Sequence, residues 1–177
     1  MWTMFVKRST GLLGGGLLGG GLLGGALLGA GCSTATVDVA DALRVSGVTT
    51  GWVEAERDAG SKIVPVVSFR LDNPGPAPLG VLQVNGVFRR AGEDAEWGSV
   101  LLRAVGREGL AAGATAGPFT LRSARGYTGR QPGGDLLAHS QFVDVEVELF
   151  VRHRAAGWVR LRTLDVDRRL LMPARSG

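Results

Sequence analysis

The stretch IVPVVSFRLDNPGPAPLGVLQVNGVFRR, residues 63–90, consists of two apolar runs on either side of a turn that contains three prolines. The first run, residues 63–71, is rich in β-branched and aromatic side chains, which favour β-strands. The turn ends this run, because proline lacks the amide hydrogen that a strand ladder needs. The second run, residues 79–90, alternates apolar and polar side chains. The pattern predicts a β-hairpin at the centre of an antiparallel sheet, with these side chains in the core: Phe69, Leu82, Val84 and Phe88.

The N-terminal 31 residues have the layout of an export signal. Lys7 and Arg8 form a short basic region, and residues 9–31 carry no charge. A small and polar stretch follows. The sequence therefore predicts three parts: a lipoprotein-type signal segment at residues 1–31, a tether at residues 32–42 and one domain at residues 43–177.

The signal ends in Leu28-Gly29-Ala30-Gly31-Cys32, with the leucine four residues before the cysteine. This segment resembles the lipobox of bacterial lipoproteins, in which the cysteine receives a diacylglyceryl group. The resemblance implies lipidation at Cys32 and a domain anchored to a membrane of the cell envelope, facing the periplasm or the exterior. The alternatives are an ordinary cleaved secretory signal and an uncleaved anchor. Cys32 is the only cysteine, so the chain can form no internal disulfide.

Arginine carries most of the positive charge of this chain. The formal net charge is +4, and loss of residues 1–31 would remove two basic residues and no acid, which leaves +2. The sequence contains no run of five basic residues. We therefore expect no nucleic acid as a partner.

Short strands separated by turns recur along the chain. Residues 43–48, continued by residues 52–56, predict a first strand, residues 97–105 another, and residues 119–122 a short one. Turn signals arrive about every eight to twelve residues, and no long amphipathic helix is visible after the signal. This spacing predicts an all-β protein with an immunoglobulin-like antiparallel β-sandwich after the N-terminal signal segment.

The clearest strand pattern is residues 142–153, which turn back into a partner strand at residues 158–164. A register with Val151 opposite Val159 keeps both apolar rows inward and places Glu148 opposite Arg162. The predicted inward row is Val143, Val145, Val147, Leu149 and Val151. The outer face should place Arg152 beside Trp158 as a cation–π pair. The last segment, up to Met172, is expected to extend this strand or to pack across its end.

The outer face of residues 142–153 also carries Asp144, Glu146 and Glu148. Carboxylates in a row offer the oxygen ligands that calcium prefers. We favour a solvated strand face, whose acids are neutralised by arginines of the next strand.

The longest irregular connection, residues 123–140, is the candidate binding site. Its glycines and charged side chains suit polar or anionic partners such as glycans. The alternative is a crossing between sheets in which the tyrosine packs against the edge of the core. Asp135 is expected to cap a single helical turn within this loop. The candidate binding residues are Arg125, Tyr127 and Arg130.

His139 and His153 are the only histidines, and neither belongs to a zinc-binding His-Glu-x-x-His motif. The chain also lacks the Gly-x-Ser-x-Gly motif of serine hydrolases. We therefore expect a binding, structural or assembly module without cofactor or metal, and not an enzyme. The rival interpretation is a small hydrolase or metal-dependent enzyme with its site near residues 123–140.

The order of features in residues 63–122 is an apolar strand, the Asn73-Pro74 turn, a strand that ends in Phe88-Arg89, a Leu-Ala-Ala-Gly-Ala reversal and a short strand. This order resembles the immunoglobulin-like FxLYD-type domains of bacterial envelope proteins and the related water-stress and late-embryogenesis (WHy) domains. The resemblance implies a sandwich with an extracytoplasmic or stress-related binding role and no catalytic residues. An envelope protein or a glycan is the expected partner, besides the membrane itself.

Overall fold

The computed structural model describes residues 38–56 and 59–172. The predicted signal segment and Cys32 lie outside the described residues. Among the described residues, no helix is long and apolar enough to cross a membrane. The elements are α1 (Val39–Ala42), β1 (Arg44–Ala55), β2 (Ser61–Asp72), β3 (Leu82–Arg90), β4 (Gly98–Val105), β5 (Thr115–Arg122), β6 (Tyr127–Gly129), α2 (Gly133–Leu137), β7 (Val145–His153) and β8 (Val159–Asp165).

The strands form two antiparallel sheets. The first sheet has the order β1-β2-β5, and β6 pairs with the beginning of β2. The second sheet has the order β4-β3-β7-β8. The pairings β2–β5 and β3–β7 join strands that are distant in the sequence, as in Greek-key sandwiches of the immunoglobulin type. The predicted β-sandwich is therefore confirmed.

The predicted hairpin of β2 and β3 is wrong, because the two strands belong to different sheets. β2 pairs with β1 along one edge and with β5 and β6 along the other, so neither edge is left for β3. The connection, residues 73–81, crosses from the first sheet to the second. A hairpin needs a short loop that continues one ladder, whereas this connection is long and its three prolines donate no amide hydrogen bond.

The side chain of Asn73 links this connection to the connection between β4 and β5. Its Nδ2 donates to the carbonyl oxygens of Ala77, Leu110 and Ala111 at 2.9, 3.1 and 3.0 Å. Its Oδ1 accepts from the amide of Gly75 at 3.2 Å. The side chain is buried, so these hydrogen bonds are shielded from water.

The core lies between the two sheets. Residues before β1 and after β8, such as Val39 and Val166, also contribute to it. All four predicted core side chains are buried, which confirms the inward faces of β2 and β3. In β7, Val145, Val147, Leu149 and Val151 are buried, and Val143 before the strand is half-buried. The folded part begins before residue 43, because α1 packs against β7 and β8 with Val39 buried.

The hairpin of β7 and β8 follows the predicted register only near its turn. Val151 pairs with Val159, as predicted. A β-bulge beyond this pair shifts the register, so that Glu148 lies opposite Thr163 and not opposite Arg162. The predicted pairing of Glu148 with Arg162 is therefore wrong.

The bulge follows from a change of phase in the apolar pattern of β8. Val159 and Leu161 are two residues apart, but the next apolar residue, Leu164, comes three residues later. An uninterrupted ladder would turn Leu164 to the outer face. One additional residue in β8 places Leu164 opposite Val147 and keeps both on the core side.

The chain end returns from β8 to β1 and packs across the end of the sandwich, one of the two predicted outcomes. The amide of Trp52 donates to the carbonyl of Arg169 at 2.8 Å, and the amide of Leu171 donates to the carbonyl of Trp52 at 2.7 Å. A Cβ on Gly51 would lie 2.8 Å from Leu171 Cγ, so this approach requires glycine. The segment thereby links the two sheets through backbone hydrogen bonds.

Candidate binding site

Four aromatic side chains meet at the end of the sandwich where β1 ends and β7 begins: Trp52, Trp97, Tyr127 and Phe142. We refer to them as the aromatic cluster. The ring centroids of Tyr127 and Phe142 are 4.8 Å apart, those of Trp52 and Phe142 5.0 Å, and those of Trp97 and Tyr127 5.2 Å. These separations are in the range of favourable aromatic pairs.

The aromatic cluster joins the two sheets. Trp52 and Tyr127 belong to β1 and β6 of the first sheet, whereas Trp97 and Phe142 precede β4 and β7 of the second. Trp52 is fully buried, and its indole nitrogen has no hydrogen-bond partner among the described residues. Sequence reasoning selected only Tyr127 from this group, because the four residues come from distant parts of the chain.

β6 determines the position of Tyr127. The strand pairs with the beginning of β2, which sets Tyr127 opposite Ile63. Gly126 permits this approach, because a Cβ there would overlap the Ile63 carbonyl oxygen. The Tyr127 hydroxyl donates to the carbonyl of Val143 at 3.0 Å, and burial raises the pKa of Tyr127. Tyr127 therefore packs at the edge of the core. This is the position expected if the loop is a crossing between sheets, the alternative to a binding site.

The structure does not bring Arg125 and Arg130 together with Tyr127 in one site. Arg125 is exposed, and its amide donates to Ser123 Oγ at 3.1 Å. Arg130 is exposed and lines a depression of about 350 Å³ together with Gly60, whereas Tyr127 does not line this depression. The role of the two arginines in binding a partner stays a prediction.

A recess of about 290 Å³ opens beside the aromatic cluster. Tyr127 and Phe142 line it together with Leu136 of α2, which gives it an apolar wall. Its polar side chains are Thr128 of β6 and three residues from the loop on either side of α2: Gln131, His139 and Gln141. The recess combines a rigid apolar surface with several hydrogen-bonding groups, as small-ligand sites do.

Burial, and not capping, decides where α2 lies. The helix begins at Gly133 behind Pro132, and no side chain caps it, so the predicted cap at Asp135 is wrong. Leu136 and Leu137 are buried and attach the helix to the core. Their apolar contacts stabilise a single turn without a side-chain cap.

The two histidines lie at opposite ends of β7. His139 Nδ1 accepts a hydrogen bond from the amide of Gln141 at 3.2 Å. His153 Nε2 accepts one from the amide of Gly80 at 3.0 Å, and burial, together with the charge of Arg154, lowers the pKa of His153. Among residues 38–56 and 59–172, no group of three or more His, Cys, Asp or Glu side chains is placed to hold a metal ion.

Glu148 is buried, with only 9% of its surface exposed, although its strand face is predicted to be solvated. The carboxylate accepts from Arg160 Nη1 at 2.8 Å and from Arg89 Nε at 3.0 Å. These contacts hold the pKa of Glu148 below its usual value. The predicted neutralisation by arginine is confirmed for Glu148, and the prediction of solvent exposure is wrong there.

A second surface feature lies on the outer face of the second sheet. The guanidinium of Arg152 is 4.9 Å from the ring centroid of Trp158, which confirms the predicted cation–π pair. Trp158 is 40% exposed, and Leu101 on the edge strand β4 is 62% exposed.

No protein-family model matches the chain, and no curated protein matches it. Two solved structures are similar to it in fold. One is a structural-genomics target designated SoR45, with 10% identity, a TM-score of 0.41, and coverage of 72% of this chain and 88% of the other. The second is a putative ApaA protein from Bordetella pertussis, with 18% identity, a TM-score of 0.38, and coverage of 70% of this chain and 91% of the other. Similarities of this level assign no function.

Proposed function

We propose that the protein is a membrane-anchored extracytoplasmic lipoprotein and that its sandwich acts as a non-catalytic binding, structural or assembly module of the cell envelope. The observation that carries the binding role is the recess of about 290 Å³ beside the aromatic cluster. The uncharged segment that ends at Cys32 supports the location. The pairings β2–β5 and β3–β7 support a β-sandwich, the fold that the resemblance to FxLYD and WHy domains implies.

The polar groups of the recess support binding more than catalysis. His139 has no carboxylate hydrogen-bond partner in the described part of the chain. A histidine that acts as a base with a nucleophile usually has a third group that orients it. The other polar side chains of the recess are two glutamines and Thr128, which form hydrogen bonds and do not transfer protons near neutral pH.

The anchoring is tested by mass spectrometry of the mature protein from the membrane fraction. We expect a chain that begins at Cys32 and carries added acyl mass. Cys32→Ala should release the protein from the membrane fraction. A soluble product that begins after residue 35 would contradict the anchor and leave the recess unaffected.

The binding role is tested by site-specific photo-crosslinking. Cys32 is the only cysteine, and lipidation blocks its thiol, so an introduced cysteine provides a single reactive site. A crosslinker on Ser140→Cys should capture an envelope component, because Ser140 is exposed between two residues that line the recess and contributes no lining side chain itself. The control is Ala156→Cys, which is exposed in the turn between β7 and β8 at the other end of the sandwich. Equal capture by both variants would contradict a binding role of the recess.

A further inference from the structure

The recess has the size of a site for one small ring. Its volume of about 290 Å³ is close to the lower limit of small-molecule sites, about 300 Å³. Gly129 contributes to its floor, since a Cβ there would lie 2.5 Å from Leu136 Cδ2 and 2.9 Å from Gln131 Oε1. The space therefore suits a single compact unit better than an extended polymer segment.

The polar lining suits a neutral ligand that both donates and accepts hydrogen bonds. The amides of Gln131 and Gln141 each provide a donor and an acceptor. His139 Nδ1 already accepts from the backbone amide of Gln141, so its Nε2 is the atom left for a ligand. The side chains that line this recess include no carboxylate, lysine or arginine. The guanidinium of Arg168 lies 4.9 Å from the ring centroid of Phe142, but it is already paired with the carboxylate of Asp144. A charged ligand would therefore lose hydration without gaining a free counter-ion.

The apolar wall is already fixed before any ligand binds. Tyr127 and Phe142 contact each other at 4.8 Å, and Trp52 packs against both, at 5.6 and 5.0 Å between ring centroids. Side chains that are immobilised in the free protein cost little additional entropy on binding. Phe142 is only 8% exposed, so the half-buried ring of Tyr127 is the main aromatic surface that a ligand can contact. A pyranose ring presents an apolar C–H face together with hydroxyl groups, and it matches an aromatic ring flanked by amides.

We infer that the recess binds one neutral sugar unit, either free or at the end of a glycan. This inference rests on the proposed function, because it names the ligand class of the same recess. It differs from the expectation of an anionic partner, since the arginine that would attract an anion, Arg130, lines the adjoining depression and not the recess itself.

Fluorescence titration of the full-length lipoprotein tests the inference. Trp52 and Trp97 lie 5.6 and 5.2 Å from Tyr127 between ring centroids, so a ligand that contacts Tyr127 should change the tryptophan emission. Glucose and N-acetylglucosamine are the neutral probes, and glucuronic acid is the anionic probe. The detergent must have no sugar head group. We expect saturable binding of at least one neutral probe, with at least tenfold weaker binding of glucuronic acid.

Three single substitutions separate recess binding from other effects. Gln141→Ala and His139→Ala should each weaken binding of the neutral probe at least tenfold, because both side chains are exposed loop groups that line the recess. Ser140→Ala is the matched control between them, since Ser140 is exposed and does not line the recess. It should bind like the unmodified protein.

Three outcomes would overturn the inference. They are no saturable signal with either neutral probe, tighter binding of glucuronic acid that Arg130→Ala abolishes, and an equal loss in Ser140→Ala and Gln141→Ala. A missing sugar signal combined with specific crosslinking through Ser140→Cys would overturn only the ligand class. Loss of that crosslinking would instead contradict the proposed binding role.

Discussion

At the scale of single residues, Asn73 is the polar side chain on which two crossings between the sheets depend. In Asn73→Ala, the carbonyl oxygens of Ala77, Leu110 and Ala111 lose their shared donor in a buried site. The carbonyl oxygens of Leu110 and Ala111 keep the backbone amides of Leu79 and Ala114 as donors, so the loss falls mainly on the carbonyl of Ala77. A buried polar group without a partner costs about 1–3 kcal/mol. We expect the free energy of unfolding to fall by about 1–2 kcal/mol, measured by urea denaturation.

Asn85→Ala is the matched control for Asn73. Asn85 lies half-buried on the outer face of β3, and its side chain makes no hydrogen bond within the described residues. Its replacement should change the free energy of unfolding by less than about 0.5 kcal/mol. Equal losses in the two variants would show that Asn73 contributes no more than any strand asparagine.

His153 gives the domain a hydrogen bond that depends on pH. Its neutral Nε2 accepts from the amide of Gly80, and burial lowers its pKa below the ordinary value of about 6.5. The unfolded chain therefore takes up a proton more readily than the folded chain. This contribution to stability is complete above about pH 6.5 and is lost as the pH falls from there towards the folded-state pKa.

We expect the free energy of unfolding to decrease between about pH 7.5 and about pH 5.5, and to decrease less in His153→Gln. Glutamine does not titrate, and its Oε1 can accept the hydrogen bond from Gly80. Urea denaturation of both proteins at each pH measures the difference. Parallel pH profiles would show that His153 does not titrate between these values.

At the scale of elements, the bulge in β8 decides which arginine contacts Glu148. In the structure, the carboxylate of Glu148 contacts Arg160 of β8 at 2.8 Å. In a ladder without the bulge, Glu148 would lie opposite Arg162. Because Glu148 is buried but Arg160 is mostly exposed, we expect Arg160→Ala to cost about 1 kcal/mol. Arg162→Ala, the matched control on the same strand, should cost less than about 0.5 kcal/mol.

A double-mutant cycle separates this contact from general charge effects. Glu148→Gln combined with Arg160→Ala should show a coupling free energy, and Glu148→Gln combined with Arg162→Ala should show none. Coupling of Glu148 to Arg162 instead would indicate that the terminal hairpin has the regular register, without a bulge. The phase change at Leu164 was available in the sequence as a signal for the bulge.

At the scale of the whole molecule, the core between the sheets provides most of the stability. Phe69 is buried in β2, and its ring centroid is 5.9 Å from that of Phe119. Phe69→Ala should lower the free energy of unfolding by about 3–5 kcal/mol, because it removes a large side chain and leaves a cavity. Thermal and urea denaturation measure this loss.

Phe150→Ala is the control for the core substitution. Phe150 is half-buried on the outer face of β7, so its removal leaves no enclosed cavity. We expect a loss of about 1 kcal/mol. A loss below about 1 kcal/mol for Phe69→Ala would contradict the core position of β2.

The recess was only partly predictable from the sequence. The length of the loop at residues 123–140 indicated a site or a crossing, and the loop contributes both β6 and α2 to the walls. The grouping of Gln131, His139 and Gln141 was missed, because α2 separates them in the sequence and brings them together in space. Their polar side chains on either side of two buried leucines were the available signal.

The sequence by itself determined the strands, their inward faces and the sandwich class, because a side-chain period of two is a local property of an extended chain. Only the tertiary structure decided that β2 pairs with β5 and that β3 pairs with β7. Side-chain alternation specifies which face of a strand is buried, but the same alternation suits any antiparallel neighbour. The partner is selected by contacts between residues that are far apart in the sequence. Among these are the hydrogen bonds of Asn73 to the second crossing and the close approach of Gly126 to Ile63.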